Sequence, residues 1–278
     1  RRSLALKLMR PVTGRLVAVG DDRQAIYGFT GADSDAMALL KCELNSKELP
    51  LNVTYRCPKT VVALAQKIVP DIVAHSSAPE GAVGYRKLTD TIEYGCTDAI
   101  LCRNTAPLLT MAYRLIGQKI PCRVEGREIG RSLDTLARRW NVTTLAALTT
   151  KLENHLESET SKWLAKGREE KAAQLDDRIT SLLTLIEACN AEGKKNVSDL
   201  CALIDRMFGD TAPGTVPNML TLSTVHKAKG REWQRVFILQ AGQYMPSKWA
   251  RKEWQQRQEQ NLIYVAITRA QKELVFLG

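Results

Sequence analysis

Short apolar runs alternate with segments of helical periodicity along most of the chain. Runs typical of buried strands lie at 16–19, 48–53, 83–88, 99–102, 121–124, 219–222, 236–239 and 274–277. Helical spacing occupies 33–44, 58–75, 106–117 and 259–269, with Pro58 at a first turn and Pro70 expected to kink or end its helix. Because strands that alternate with helices usually pair in parallel, the pattern predicts an α/β fold with a parallel sheet.

The amino-acid composition changes between residues 133 and 207. This stretch is rich in Ala, Leu, Lys and Glu, contains no proline, and repeats its apolar residues at helical spacing. Gly167 and Gly193 are the expected breaks between its helices. We therefore expect a helical insertion within the α/β domain, with charged faces that are solvated rather than specific for a partner.

The balance of charge makes the chain basic. It has a formal net charge of +10 and a pI of about 9.3, and from Thr224 onward ten Lys and Arg residues outnumber four acidic ones. Such an excess suits phosphate backbones, although an anionic membrane surface or an ordinary soluble surface would also explain it. No apolar run approaches the roughly 20 residues that span a bilayer, and we expect no signal peptide.

Cysteine usage indicates a cellular compartment rather than a chemical site. The seven cysteines never approach C-x-x-C spacing, and the chain has only three histidines, which argues against a zinc site. An odd number of thiols with apolar neighbours is typical of reduced, buried cysteines in a cytoplasmic protein.

Four segments place polar and aromatic side chains next to predicted strands, where open α/β sheets bind ligands. They read GDDRQAIYGFTGA at 20–32, LNVTYRCP at 51–58, TVHKAKGREW at 224–233 and YVAITRA at 264–270. Tyr55 and Arg56 can stack a nucleobase and clamp a phosphate. The third segment offers a hydroxyl, an imidazole, ammonium groups and a glycine, which suits backbone phosphates. Asp21 and Asp22 alone could pass for a magnesium-binding Walker B element, but acidic turns after strands are common.

Together the four segments resemble motifs III, IV, V and VI of the UvrD/Rep-like superfamily 1A DNA helicases, in that family's order. The resemblance covers residues 14–124 and 219–277, and the helical stretch matches only in position. Departures are Thr54 in place of the usual Asn, Gly28 and Thr30 where relatives often carry Arg, and Gln271 where they often carry Lys. The fold that the resemblance implies is a RecA-like, P-loop NTPase-type parallel sheet with a helical insertion.

The resemblance also implies roles for individual residues. The implied nucleotide-binding residues are Gln24, Tyr55, Arg56, Gly230, Glu232 and Arg269. Among them Gln24, Arg56 and Arg269 would act on the γ-phosphate, Arg269 as an arginine finger. Tyr55 would stack on the adenine, and Glu232 would contact the ribose. The implied DNA-binding residues are Tyr27, Phe29, Thr224, His226 and Lys227, with Phe29 stacking on a base and Arg103 as a further candidate.

The first motifs of such an enzyme are absent from the sequence. It contains neither a G-x-x-x-x-G-K-[ST] P-loop nor an Asp-Glu pair before the motif III segment, and it starts at Arg1. We therefore expect a fragment. Residues 1–46 would be the C-terminal tail of the first RecA-like domain, 47–130 and 213–278 two parts of the second, and 131–212 a reduced accessory insertion. ATP would bind between the domains, with Mg²⁺ held mainly by the missing N-terminal domain and no metal site in this chain.

The implied activity is ATP-driven movement, 3′ to 5′, along single-stranded DNA, with unwinding at duplex junctions. The protein would be cytoplasmic, would have no membrane partner, and this chain alone would be nearly inert as an ATPase. The alternative is a non-catalytic nucleic-acid-binding module that kept the fold and lost the ATPase half. A third hypothesis, the motor half of a helicase–nuclease, would require a nuclease domain after Gly278.

Overall fold

A parallel sheet of six strands forms the centre of the molecule. The computed structural model describes residue 7 and residues 14–28, 35–208 and 219–278. Two short strands, β1 (Val53–Thr54) and β2 (Val73–Ala74), pair only with each other. The six others are β3 (Ala82–Arg86), β4 (Asp98–Cys102), β5 (Cys122–Val124), β6 (Leu220–Thr224), β7 (Trp233–Leu239) and β8 (Ala270–Leu277). They lie in the order β3–β8–β7–β4–β6–β5, and every pair is parallel, so the α/β prediction is confirmed.

Helices connect the strands and cover both faces of the sheet. In the described residues they are α1 (Ala36–Leu44), α2 (Lys59–Ala65), α3 (Thr105–Gly117), α4 (Arg127–Arg138), α5 (Leu145–Ala165), α6 (Glu169–Ala191), α7 (Val197–Phe208), α8 (Val225–Ala228), α9 (Ala241–Tyr244) and α10 (Glu253–Ile267). Among them, no helix combines the length and the apolar character that a membrane crossing requires.

Successive side chains on each strand point to opposite faces of the sheet, so the interior is divided into two cores. On β4, Ile100 and Cys102 belong to one core, whereas Ala99 and Leu101 belong to the other. Neighbouring strands repeat this division in register, because Ile100 pairs with Leu222 on one side and with Phe237 on the other. A sheet that is apolar on both faces needs helices on both faces, and parallel sheets are almost always covered in this way.

The helical stretch predicted from the sequence is confirmed, and it begins slightly earlier than expected, with α4. Gly167 and Gly193 end two of its helices with φ angles of +62° and +75°, in the region where glycine is favoured. Leu133, Leu182 and Leu200 of this stretch belong to the same core as the Ile100 face of the sheet. The stretch therefore covers one face of the sheet as part of a continuous core.

The predicted strand at 16–19 is wrong. Residues 14–20 have no regular secondary structure, and the side chains of Val17 and Val19 are 88% and 80% exposed. A strand is stabilised by hydrogen bonds to a neighbouring strand, and no strand among the described residues pairs with this segment. Its apolar sequence is therefore left without a core in which to be buried.

Two further predictions are only partly correct. The strand expected at 48–53 is reduced to β1, and the helix expected to reach residue 75 ends at Ala65. The chain turns after Ala65, where the Gln66 side chain donates to the Ile72 carbonyl at 2.9 Å, and Val73 then pairs with Val53. Helical geometry is also disfavoured for the residue before Pro70, so the short parallel pair replaces the last helical turns.

Gly130 is a position where the contact between two helices tolerates no side chain. An added Cβ would lie 2.6 Å from Cβ and 2.8 Å from Cγ of Phe208, which anchors α7 against α4. We expect Gly130→Ala to lower the free energy of unfolding by about 1–3 kcal/mol, because α7 must shift to accept the methyl group. Urea denaturation would measure this change.

Gly117 is the matched control, since it also lies on a helix but has open space beside it. No atom lies within 4 Å of the Cβ that Gly117→Ala would add. That substitution is expected to raise the free energy of unfolding by roughly 0.4–1 kcal/mol, by restricting the unfolded chain. Equal stability of the two variants would contradict the close contact at Gly130.

Candidate functional site

The sheet separates the predicted site residues into two groups. Glu232 and Arg269 directly precede β7 and β8, so they lie at the amino ends of these strands, and Arg56 contacts Glu232 there. Thr224 and His226 lie at the opposite edge, at the carboxyl end of β6. Helix α8 and residues 229–232 connect the two edges. We call the first set the nucleotide group and the second the nucleic-acid group, after the roles predicted for them.

Arg56 and Glu232 form an ion pair in the nucleotide group. Nε of Arg56 donates to Oε2 of Glu232, and both side chains remain more than one third exposed. Solvent therefore screens the pair, which has a small effect on stability. Its importance is geometric, because it brings together the end of the β1 segment and the start of β7.

Arg269 lies beneath this pair and is only 1% exposed. Its Nε donates to the Val265 carbonyl at 2.9 Å, Nη1 to the Arg231 carbonyl at 3.2 Å and Nη2 to Thr268 Oγ1 at 2.9 Å. Burial, followed by the positive charge of Arg56, lowers the pKa of Arg269 to about 10. The guanidinium is therefore still charged at pH 7, and several of its donors are used to hold it in place.

Tyr55 presents an aromatic ring to solvent beside this group. The ring is 79% exposed and is stacked on the His75 imidazole, with ring centroids 4.4 Å apart and an angle of 29° between the planes. The β1–β2 register places the two residues side by side, since Thr54 pairs with Ala74. The sequence contained no signal for His75, because its place under Tyr55 depends on a pairing between residues 20 positions apart.

Residues 21–28 are held against α10 by two amide side chains. Asn261 Nδ2 donates to the carbonyls of Asp22 and Ala25, at 3.0 and 3.2 Å. Gln258 accepts from the Gly28 N–H at 3.1 Å and donates to the Ile26 carbonyl at 3.0 Å. Ile26 is fully buried in the core beneath. A Cβ added at Gly28 would collide with Oε1 of Gln258, so this position has no room for a side chain.

Gln24 lies in a short 3₁₀ turn within this segment. Its side chain donates to Asp21 Oδ2 at 2.6 Å, and its carbonyl accepts from Lys229 Nζ at 2.7 Å. Asp21 therefore caps the turn, which explains an acidic residue there without a metal ion. Phe29 lies outside the described residues.

The nucleic-acid group is tied to the same segment and to the helical stretch. The Tyr27 hydroxyl donates to the His226 carbonyl at 2.6 Å, and Lys229 Nζ lies 5.4 Å from the centre of the Tyr27 ring. Lys227 forms an ion pair with Glu128 of α4. Thr224 is buried where β6 meets α8.

Gly230 is in a conformation that only glycine adopts without strain. Its φ angle is +88°, and no atom lies within 4 Å of an added Cβ. A glycine is therefore required here by the backbone of the connection between the two edges rather than by crowding.

A buried ion pair supports the nucleic-acid group from below. The Arg103 guanidinium makes three hydrogen bonds of 2.7–3.1 Å to the Glu259 carboxylate, which also accepts from the Ser247 N–H at 2.9 Å. Such forked pairs have a defined geometry. Burial and the charge of Arg103 lower the pKa of His226 to about 3, so its imidazole is neutral at physiological pH.

Comparison with known proteins adds a family assignment to this geometry. A family model described as the UvrD-like helicase C-terminal domain matches residues 134–277, just over half of the chain. The matched region contains the helical stretch from the second half of α4 onward and both segments that carry Thr224 and Arg269. No curated protein matches the chain.

The low pKa of His226 predicts a specific pH dependence of stability. In the unfolded chain the imidazole takes up a proton near pH 6.5, whereas in the folded chain it does so only near pH 3. Since the unfolded state binds more protons between these values, this residue makes stability fall as pH decreases, by at most about 1.4 kcal/mol per pH unit. Above pH 6.5 its contribution is constant.

The measurement is urea denaturation of the wild type and of His226→Gln at pH 7.0 and at pH 5.5. We expect the wild type to lose more stability between the two values than the variant, which has no group to protonate at this position. The same loss in both proteins would contradict the assignment of a neutral imidazole at this position.

Proposed function

Because the chain belongs to the UvrD-like helicase C-terminal domain family, we propose that it is the C-terminal part of an ATP-dependent DNA helicase that moves 3′ to 5′ along single-stranded DNA. The observation that carries this proposal is the convergence of Arg56, Glu232 and Arg269 at one edge of the sheet. They come from three segments that are distant in the chain, and together they offer two cations to an anionic ligand.

The residues of the nucleotide group fit a nucleoside triphosphate. Tyr55 offers an exposed ring for stacking on a base, Arg56 and Arg269 offer positive charge for phosphates, and Glu232 offers a carboxylate for a hydroxyl. The bound triphosphate would supply the free energy of hydrolysis. Among the described residues no cluster of three or more His, Cys, Asp or Glu is arranged to hold a metal ion. Mg²⁺ is therefore proposed to be held mainly by another domain.

The connection between the two edges supports coupling of nucleotide and DNA. It leaves the carboxyl end of β6 with the nucleic-acid group and enters β7 beside Glu232. On the way, Lys229 binds the carbonyl of Gln24, the residue proposed to sense the γ-phosphate. We propose that a shift of either group is transmitted to the other through this connection of eight residues, 225–232.

The exposed apolar side chains at 14–20 support the first RecA-like domain as a partner of this chain. Val17 and Val19 are largely exposed, and this segment leads directly into the 3₁₀ turn that carries Gln24. We propose that the first RecA-like domain packs against this segment and buries these side chains. Single-stranded DNA and duplex junctions are the proposed substrates, in the cytoplasm.

Arg56→Ala tests the nucleotide group in the full-length protein. Its side chain is 38% exposed, so its removal should leave the thermal midpoint nearly unchanged. We expect DNA-stimulated ATP hydrolysis to fall by about 10²-fold or more, because a charged group on the phosphates is lost. Arg206→Ala, at an exposed position of α7, is the matched control and should hydrolyse ATP like the wild type. Normal hydrolysis by Arg56→Ala would contradict the proposed site.

Arg269 requires a conservative variant, because an alanine would remove the donors that this buried guanidinium supplies to the Val265 and Arg231 carbonyls. Arg269→Lys keeps the charge but loses the planar fork. We expect hydrolysis to fall by about 10²-fold or more, and the free energy of unfolding to fall by about 1–3 kcal/mol. If the rate of hydrolysis falls no more than the fraction of unfolded protein accounts for, Arg269 has only a structural role.

The wild type in the same assay distinguishes the alternative function. A nucleic-acid-binding module without an ATPase half would bind single-stranded DNA with strong salt dependence and would hydrolyse no ATP. An enzyme of the proposed kind shows both properties.

A further inference from the structure

The orientation of the Tyr55 ring, beside the nucleotide group, depends on a neighbouring aromatic ring. The side chain is 79% exposed, and its hydroxyl has no hydrogen-bond partner in the described part of the chain. An exposed tyrosine without such a partner exchanges among about three staggered orientations at its χ1 angle. Stacking on the His75 imidazole, with 4.4 Å between the ring centroids, favours one of these orientations.

The main chain fixes the position of His75 on both sides of the residue. Its N–H donates to the Thr54 carbonyl at 3.0 Å, which continues the pairing of β1 with β2. Further along the chain, the Pro79 carbonyl accepts from the N–H of Lys59 at 3.0 Å. Lys59 begins α2, where the first N–H groups of a helix have no helical partner. The segment that carries His75 is therefore anchored at two points to the segment that carries Tyr55.

The imidazole of His75 is itself held in place, at one of its ring nitrogens. The Ser77 N–H donates to Nδ1 of His75 at 3.3 Å, and Ser77 Oγ lies 2.7 Å from the same nitrogen. Hydrogen bonds to a ring nitrogen approach the edge of the ring, so they leave its two faces free for stacking. The imidazole is therefore a defined surface on which another ring can rest.

The opposite face of the Tyr55 ring is open to a ligand. Because His75 covers one face, the large exposed area of Tyr55 must come from the other face and from the ring edges. A planar base can stack on such a face. The next residue, Arg56, contacts Glu232 and is also partly exposed, so a base on Tyr55 would lie close to charged groups suited to the rest of a nucleotide.

We propose that His75 is a positioning residue for the nucleotide, which holds the Tyr55 ring in the orientation that accepts the base. It contacts Tyr55 and does not contact the ligand. A site whose side chains are already ordered binds more tightly, because binding does not have to restrict their rotation. The inference rests on the proposed function, since it requires that Tyr55 binds the base of ATP.

His75→Ala in the full-length protein tests the inference, with ATP hydrolysis measured at a saturating concentration of single-stranded DNA. Without the imidazole, the fraction of Tyr55 in the competent orientation is expected to fall to about one third. We therefore expect the KM for ATP to rise about threefold while kcat is unchanged, as when ground state and transition state lose the same binding energy. An unfolded fraction would lower kcat without raising KM, so this measurement separates positioning from stability.

Two further variants show whether the effect passes through the ring of Tyr55. His75→Phe keeps a flat ring beneath Tyr55, so its KM should stay within about twofold of the wild-type value. Tyr55→Ala is expected to raise KM about tenfold, because the stacked ring is lost. Once Tyr55 has been removed, adding His75→Ala should raise KM no further, since two residues that act as a unit are not additive.

His155→Ala is the matched control, because this imidazole also contacts an aromatic ring, that of Trp140, but lies on α5 in the helical stretch. It should retain the wild-type KM. A wild-type KM in His75→Ala, the same rise in His75→Phe, or a further rise when His75→Ala is added to Tyr55→Ala would overturn the inference and leave the proposed function intact. If the wild type hydrolyses no ATP, the proposed function fails together with the inference.

Discussion

Burial of both faces of the parallel sheet is the constraint on which the rest of the structure depends. Each central strand alternates its side chains between two cores, so helices must cover both sides. Helices α4 to α7 cover most of one face of the sheet, while α2, α8 and α10 cover the other face. Polar groups can then gather only at the two ends of the strands, and both candidate groups are found there.

Helix α10 connects this core to both groups. Its apolar face, with Leu262 and Val265, lies in the core. Its polar residues Gln258 and Asn261 hold the segment that carries Gln24, and Glu259 holds Arg103. Its last turn holds Arg269. A helix with these contacts cannot move without moving residues at both edges of the sheet, which is what a coupled site requires.

The helical stretch has a larger part in the candidate site than its composition indicated. Charged faces at helical spacing are usually solvated, and that was the expectation from the sequence. In the folded chain, however, Glu128 pairs with Lys227, and Glu170 and Asp177 line a cleft that also contains Thr224 and His226. A helical periodicity shows which face is polar. It contains no information about which other segment that face meets.

The sequence by itself determined the order of most strands and helices and the residues of the four motif-like segments, because periodicity and contiguous strings are local properties. It was wrong at 16–19, since a strand also needs a partner, which an apolar run does not specify. Only the tertiary structure decided that the site residues divide between two edges, that His75 lies under Tyr55 and that Arg269 is buried. These features depend on contacts between residues far apart in the chain, and such contacts exist only once the sheet has formed.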